Sequence, residues 1–192
     1  MGLVVAAAAI ALAIAAATGA DDDAAPQTAP VVVTGAALPE LTGDPADPAL
    51  GTPAPGLAGT SFDGSPVSVD PGAGSPVLVL FLAHWCPHCR AEVPLLSEWI
   101  RAGDAPPGVD IVAVSTAVDE AAPNYPPSAW FEEEEWPTPV LVDDESGSAG
   151  TAYGLTHFPY FVLLNGDGTV ADRFSGEIAP EELAARIAAA LE

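Results

Sequence analysis

The only two cysteines of this chain sit three positions apart, at the junction between a strand and a helix. Pro76–Ala83 (PVLVLFLA) is an unbroken apolar run, the mark of a central strand buried on both faces. It leads straight into His84-Trp85-Cys86-Pro87-His88-Cys89. Residues 88–101 follow with Val93, Leu96 and Ile100 three and four apart, the spacing of an amphipathic helix. A cysteine at a helix N-terminus faces unpaired backbone N–H groups and the positive end of the helix dipole, so its thiolate is stabilised. Two intervening residues let both sulfurs meet across one turn, so a disulfide can form and open without moving the fold. Cys86, at the exposed start, is expected to be the nucleophile, and Cys89, one turn in, the resolving thiol. Pro87 suits the first turn and restricts the loop. His88, between the sulfurs, is placed to stabilise the Cys86 thiolate by charge and hydrogen bonding, which raises the potential of the pair.

The rest of residues 57–192 alternates strand and helix signals. Thr60–Phe62 and Val67–Val69 flank Asp63-Gly64-Ser65, a hairpin turn. Val109–Ser115 reads as a second buried strand, 127–135 as a helix, Pro139–Val142 as a short strand and Ser146–Tyr153 as a short helix. Tyr160–Leu164 and Thr169–Phe174 are joined by Asn165-Gly166-Asp167-Gly168, a strong hairpin signal. Pro180–Leu191 is a last helix, with Pro in its first turn and Leu183, Ile187 and Leu191 four apart. This order predicts an α/β fold with a mixed central sheet flanked by helices on both faces.

The segment Phe81–Pro94 resembles the thioredoxin superfamily, and the whole of 57–192 is similar to its TlpA/ResA-like branch of extracytoplasmic thiol–disulfide oxidoreductases. Trp85-Cys86-Pro87-His88-Cys89-Arg90-Ala91-Glu92-Val93-Pro94 follows that branch's WCxxC–RxExP pattern. The Asp63-Gly64 hairpin matches its entry, Phe158-Pro159 its cis-proline loop and Asn165–Gly168 its following turn. The 73 residues from Cys86 to Pro159 leave room for the branch's inserted element. The resemblance implies that Pro159 is cis and exposes backbone that pairs with an extended substrate. It implies that Glu92 lies one turn below the thiols and tunes them or shuttles protons, and that Pro94 kinks the helix. Trp85, Pro87, His88, Phe158 and Pro159 are the expected substrate-binding residues. No cofactor beyond the Cys86–Cys89 disulfide and no metal is expected. Pro87-His88 is the dipeptide of oxidising DsbA-like proteins, whereas the branch context leans to reduction, so the direction stays open. His84 stands where a small or polar residue is usual, and it is expected to be a partly exposed strand-end side chain. His157 is expected on the rim. Trp99, Trp130 and Trp136 read as core or lid, and Glu132–Glu135 as a solvated helix face.

Residues 2–17 contain only Gly, Ala, Val, Leu and Ile, and the stretch extends to Ala20 before Asp21-Asp22-Asp23. Residues 1–20 therefore read as a signal peptide or an N-terminal membrane anchor. Residues 21–56 carry seven Pro and no periodicity, which predicts a disordered linker ahead of the domain at 57–192. Against 27 Asp and Glu stand only four Arg and no Lys, for a net charge of −23. Such a chain has almost no cations with which to neutralise nucleic-acid phosphates or anionic membrane surfaces. The expected partners are Cys-containing exported proteins and a membrane or extracytoplasmic redox partner, with the chain itself a monomer. The rival reading is a copper chaperone of the same fold using Cys86, Cys89 and His157, since thiolates and imidazole suit copper. A structural zinc site lacks its second pair of cysteines, and a peroxidase would carry Thr where Ala83 stands.

Overall fold

The computed structural model describes residues 25–43 and 46–192. The leader or anchor expected at 1–20 lies outside them. A three-stranded antiparallel sheet comes first: β1 (Val32–Thr34), β2 (Gly56–Thr60) and β3 (Pro66–Val69), in that order. The main sheet holds β4 (Val77–Leu82), β5 (Asp110–Ser115), β6 (Val140–Val142), β7 (Tyr160–Leu164) and β8 (Val170–Ser175). Its order is β6-β5-β4-β7-β8. β4, β5 and β6 run parallel, and β7 and β8 are antiparallel additions. Four helices are found among the described residues: α1 (Pro87–Ala102), α2 (Pro127–Glu133), α3 (Ser148–Ala152) and α4 (Pro180–Ala190). This is the thioredoxin-like arrangement, with α2, β6 and α3 lying between β5 and β7.

β4 is buried along its whole length because its two faces feed two cores. Leu78, Leu80 and Leu82 pack with Val93 and Leu96 of α1 and with Leu183 and Ile187 of α4. Val77, Val79 and Phe81 point the other way, to Leu57, Val69, Ala149 and Tyr153. Period-2 alternation inside an all-apolar run thus serves both sides of one sheet. Trp99 and Trp130 belong to the first core, and Trp136 packs against it.

The linker expected at 21–56 is corrected for its described residues. Main-chain bonds strap this segment across the main body. Leu38 N–H donates to Ala152 O at 2.8 Å, Gly51 N–H to Val170 O at 2.8 Å and Ala54 N–H to Gly168 O at 3.0 Å. Leu38 and Ala49 are buried in the second core. Arg173, on β8, lies 4% exposed, and Asp47 of the strap supplies its counter-charge, its two carboxylate oxygens accepting from Nε and Nη2 along one guanidinium edge (2.6 and 2.5 Å). Arg173 also donates to Pro39 O at 2.6 Å. Gly154, at φ +71°, leaves room for that same carbonyl, which a Cβ would meet. The apolar contacts of the strap, Leu38 and Ala49 among them, recur at no helix or strand period, so hydrophobic periodicity does not register it.

One smaller expectation changes as well. α2 stops at Glu133, and Glu135 has φ +48° and pairs with Arg101, so Glu132–Glu135 is a helix end and turn, not a continuous helical face. Pro94 sits inside an unbroken α1, where the Arg90 carbonyl lacks its N–H partner four residues on.

Candidate active site

The C-terminal end of β4 delivers the chain to α1. Cys86 is the N-cap residue of that helix, with extended backbone (φ −70°, ψ 122°), and Pro87 occupies the first helical position. No acidic residue sits in the first turn of α1 to offset the dipole at the sulfur. Cys86 N–H donates to Ala83 O at 3.0 Å, which folds the loop back on the strand end. Both thiols are free and both are buried: Cys86 retains 5% exposure and Cys89 none. Cys86 is therefore the more accessible sulfur, though less open than a bare helix start, because neighbouring loops close over it. Burial pushes the Cys89 thiol far above its ordinary range, and the nearby Cys86 and Glu92 push it further.

The loop before β7 faces the pair. The Phe158–Pro159 peptide bond is cis, and Phe158 O lies 4.0 Å from Cys86 Sγ. Trp85 meets the Phe158 ring edge-on at 5.8 Å between centroids, and its indole N–H donates to Ala117 O at 2.7 Å. A cleft of about 370 Å³ opens beside Ala117, Thr156 and Phe158, with Glu145 on its wall. A larger cavity, about 680 Å³, lies at the far end of β4 around Val77 and Asp110, away from the cysteines.

Glu92 lies beneath the thiols, 2% exposed on α1. Its Oε2 accepts the Ile178 N–H at 3.1 Å, while its Oε1 has no protein partner. Burial raises this carboxyl to about 7, against the lowering effect of the Ile178 N–H and with a further upward push from Glu177. His88 is exposed, and its Nδ1 lies 2.5 Å from Glu177 Oε1. His157 is exposed on the rim, with Nδ1 3.1 Å from Thr156 Oγ1. Among the described residues no group of three or more His, Cys, Asp or Glu is arranged to hold a metal ion.

His84 departs from its expected place. It is 1% exposed, and its ring closes the loop between β5 and α2. Its Nε2 accepts the Asp119 N–H at 3.2 Å, so Nδ1 carries the proton that reaches Pro123 O at 2.8 Å. Asn124, at φ +62°, donates its side-chain amide to His84 O at 2.9 Å. A second cis bond, Tyr125–Pro126, follows, and the exposed Tyr125 ring stands against His84. Neither this loop nor Glu177 carries a motif in the sequence. Glu177 is 89 residues from His88, and only the folded chain brings them together.

A family model described as Redoxin matches residues 16–190. The chain belongs to the Redoxin family, and its sheet and cysteine-bearing loop make it a thiol–disulfide oxidoreductase of the thioredoxin superfamily. The soluble secreted antigen MPT53 of Mycobacterium tuberculosis is 30% identical over 146 residues, covering 75% of this chain and 77% of that protein. The thiol-disulfide oxidoreductase ResA of Bacillus anthracis is 27% identical over 135 residues, covering 70% and 74%. Among solved structures, a secreted Mycobacterium tuberculosis disulfide oxidoreductase homologous to Escherichia coli DsbE aligns at a TM-score of 0.57. It shares 27% identity and covers 69% of this chain and 94% of its own. StoA of Bacillus subtilis, at 22% identity, a TM-score of 0.57 and coverage of 72% and 98%, shares the fold.

Proposed function

We propose that the chain exchanges disulfides with exported proteins through Cys86 and Cys89. The Cys86 thiolate attacks a substrate disulfide, one sulfur of the substrate leaves as a thiolate, and a mixed disulfide forms. Cys89 then attacks Cys86 Sγ, closing the Cys86–Cys89 disulfide and releasing the second substrate thiol. Run backwards, the same steps oxidise a substrate dithiol. The observation that carries this reading is the pairing of a buried, high-pKa thiol with an N-cap thiol that faces the carbonyl before a cis proline. Phe158 and Pro159 supply main chain for an extended substrate, and Trp85, Pro87 and His88 frame the sulfur. Glu92, at about 7, is suited to take and return the Cys89 proton near neutral pH.

Residues 1–20 act as the export signal or membrane anchor, and the thioredoxin-like domain works as a monomer outside the cytoplasm. A membrane or extracytoplasmic redox partner resets it. The secreted character named for the mycobacterial relatives supports this placement.

In the full chain, Cys86→Ser should abolish insulin reduction and the oxidation of a reduced substrate protein alike. Persistent exchange in that variant overturns the reading. The reduction potential against a glutathione series then fixes the direction. A value near about −120 to −180 mV marks a disulfide donor, and one below about −250 mV marks a reductant.

A further inference from the structure

We propose that Glu177 is a positioning residue for the dithiol, one that engages the charge of His88 and so holds the Cys86–Cys89 couple less oxidising than its Pro87-His88 dipeptide would make it. The inference rests on the exchange reading above. Glu177 sits in the four-residue connector between β8 and α4, and both of its neighbours are fixed to the site. Gly176 N–H donates to Pro159 O at 2.9 Å, and Ile178 N–H donates to Glu92 Oε2 at 3.1 Å. Gly176 has φ +99°, which lets the chain turn sharply between those two anchors. The Ile178 side chain is 8% exposed in the core that contains both cysteines. The carboxylate between these anchors is therefore presented to the first turn of α1, where it meets His88 Nδ1 at 2.5 Å.

The chemistry follows from charge. Oxidation passes two electrons and two protons from the two thiols to glutathione disulfide, giving the Cys86–Cys89 disulfide and two glutathione thiols. A cation beside Cys86 stabilises only the thiolate of the reduced form, and so raises the potential. A carboxylate on that cation opposes the effect. The pair is half exposed, so solvent screens the interaction and the effect is modest.

The test is the equilibrium constant of the full chain against glutathione at pH 6. Glu177→Gln removes the opposing negative charge and keeps the size of the side chain. The constant should shift at least about threefold toward the reduced protein, or about 14 mV, since tenfold is 29.6 mV for two electrons. Glu177→Asp should fall closer to wild type. In a His88→Gln background the Glu177→Gln shift should vanish. A shift of equal size in that background, no shift in the single variant, or one toward the oxidised protein overturns the inference. If the wild type itself does not equilibrate with glutathione, the exchange reading falls, and this inference with it.

Discussion

The Ile178 N–H donates to Glu92 Oε2 at 3.1 Å, joining the middle of α1 to the residues that open α4, directly beneath the two thiols. The single bond leaves the other carboxylate oxygen without a protein partner in a buried site. Burial accordingly keeps the group protonated until about pH 7. In the native state it binds a proton that the unfolded chain has already lost, so stability falls as pH rises from about 4.5 to about 7 and is flat above. The rise from 4.5 to about 7 corresponds to roughly 3 kcal/mol at full effect. Glu92→Gln should remove that slope, and denaturant melts at pH 5 and pH 8 will show it. A wild type equally stable at both would show that the carboxyl ionises without penalty. The same variant should flatten the neutral-pH limb of the exchange rate.

On the proposed exchange, Cys89→Ser leaves the attacking thiol and removes the one that resolves it. Incubated with a disulfide substrate, this variant should accumulate a mixed disulfide at Cys86. Non-reducing electrophoresis and mass mapping read the adduct directly. An adduct at the same level in Cys86→Ser would place the attack elsewhere.

His84 fastens the loop that carries Ala117 and Tyr125, and it does so with both ring nitrogens. His84→Leu fills the volume and leaves Pro123 O and Asp119 N–H without that partner. Both groups sit on exposed residues and the bonds are half-buried, so each loss costs the ordinary net worth of a hydrogen bond, about 0.5–1.5 kcal/mol. Limited proteolysis should then cut between 117 and 126 faster than in wild type. An unchanged cutting rate would mean that the flanking strands, not the imidazole, order the loop.

Arg173 is buried with Asp47 as its counter-charge, and the guanidinium holds the Asp47 carboxyl below the usual carboxylate range. Breaking one side of such a pair costs about 3–5 kcal/mol, because a charge is left uncompensated. Asp47→Ala should be destabilised to that degree in urea melts. A chain starting at residue 57 should be weakened at least as much, since it also uncovers the surface under Leu38 and Ala49. The sign with pH is the reverse of Glu92. The Asp47 contribution is complete above the ordinary Asp value of 3.8 and is lost as acid protonates the group below it.

The legible parts of the fold were those with an apolar period. β7 is found where Tyr160–Leu164 predicts it, and α1 and α4 where their three- and four-residue spacings do. The thiols, Glu92, Trp85 and the Phe158–Pro159 bond could be marked because they cluster around one motif and one turn. The strap at 25–56 could not, because its order comes from main-chain bonds to residues more than 90 positions away and from one aspartate. His84 was taken for a strand-end side chain because the loop that buries it, 33 or more residues further on, shows no periodicity of its own. Glu177 escaped for a related reason: a single acid ahead of a helix looks like ordinary N-terminal charge until His88 is seen opposite.

The strap also fixes a direction. Ala29 N–H is bonded to Asp143 O, and Gln27 to Ser128 at the start of α2. Asp143 follows Val142, which is in register with Ser115 and, through it, with Leu82, the last strand residue before the cysteines. The backbone therefore joins the folded body at the sheet end that bears Cys86. An extended 36-residue spacer would reach about 120 Å and let the dithiol sweep freely. Bonded at this end instead, residues 27–29 lie on the same side of the sheet as the dithiol, and the order of the N-terminal segment and the site are tied to one edge of the body.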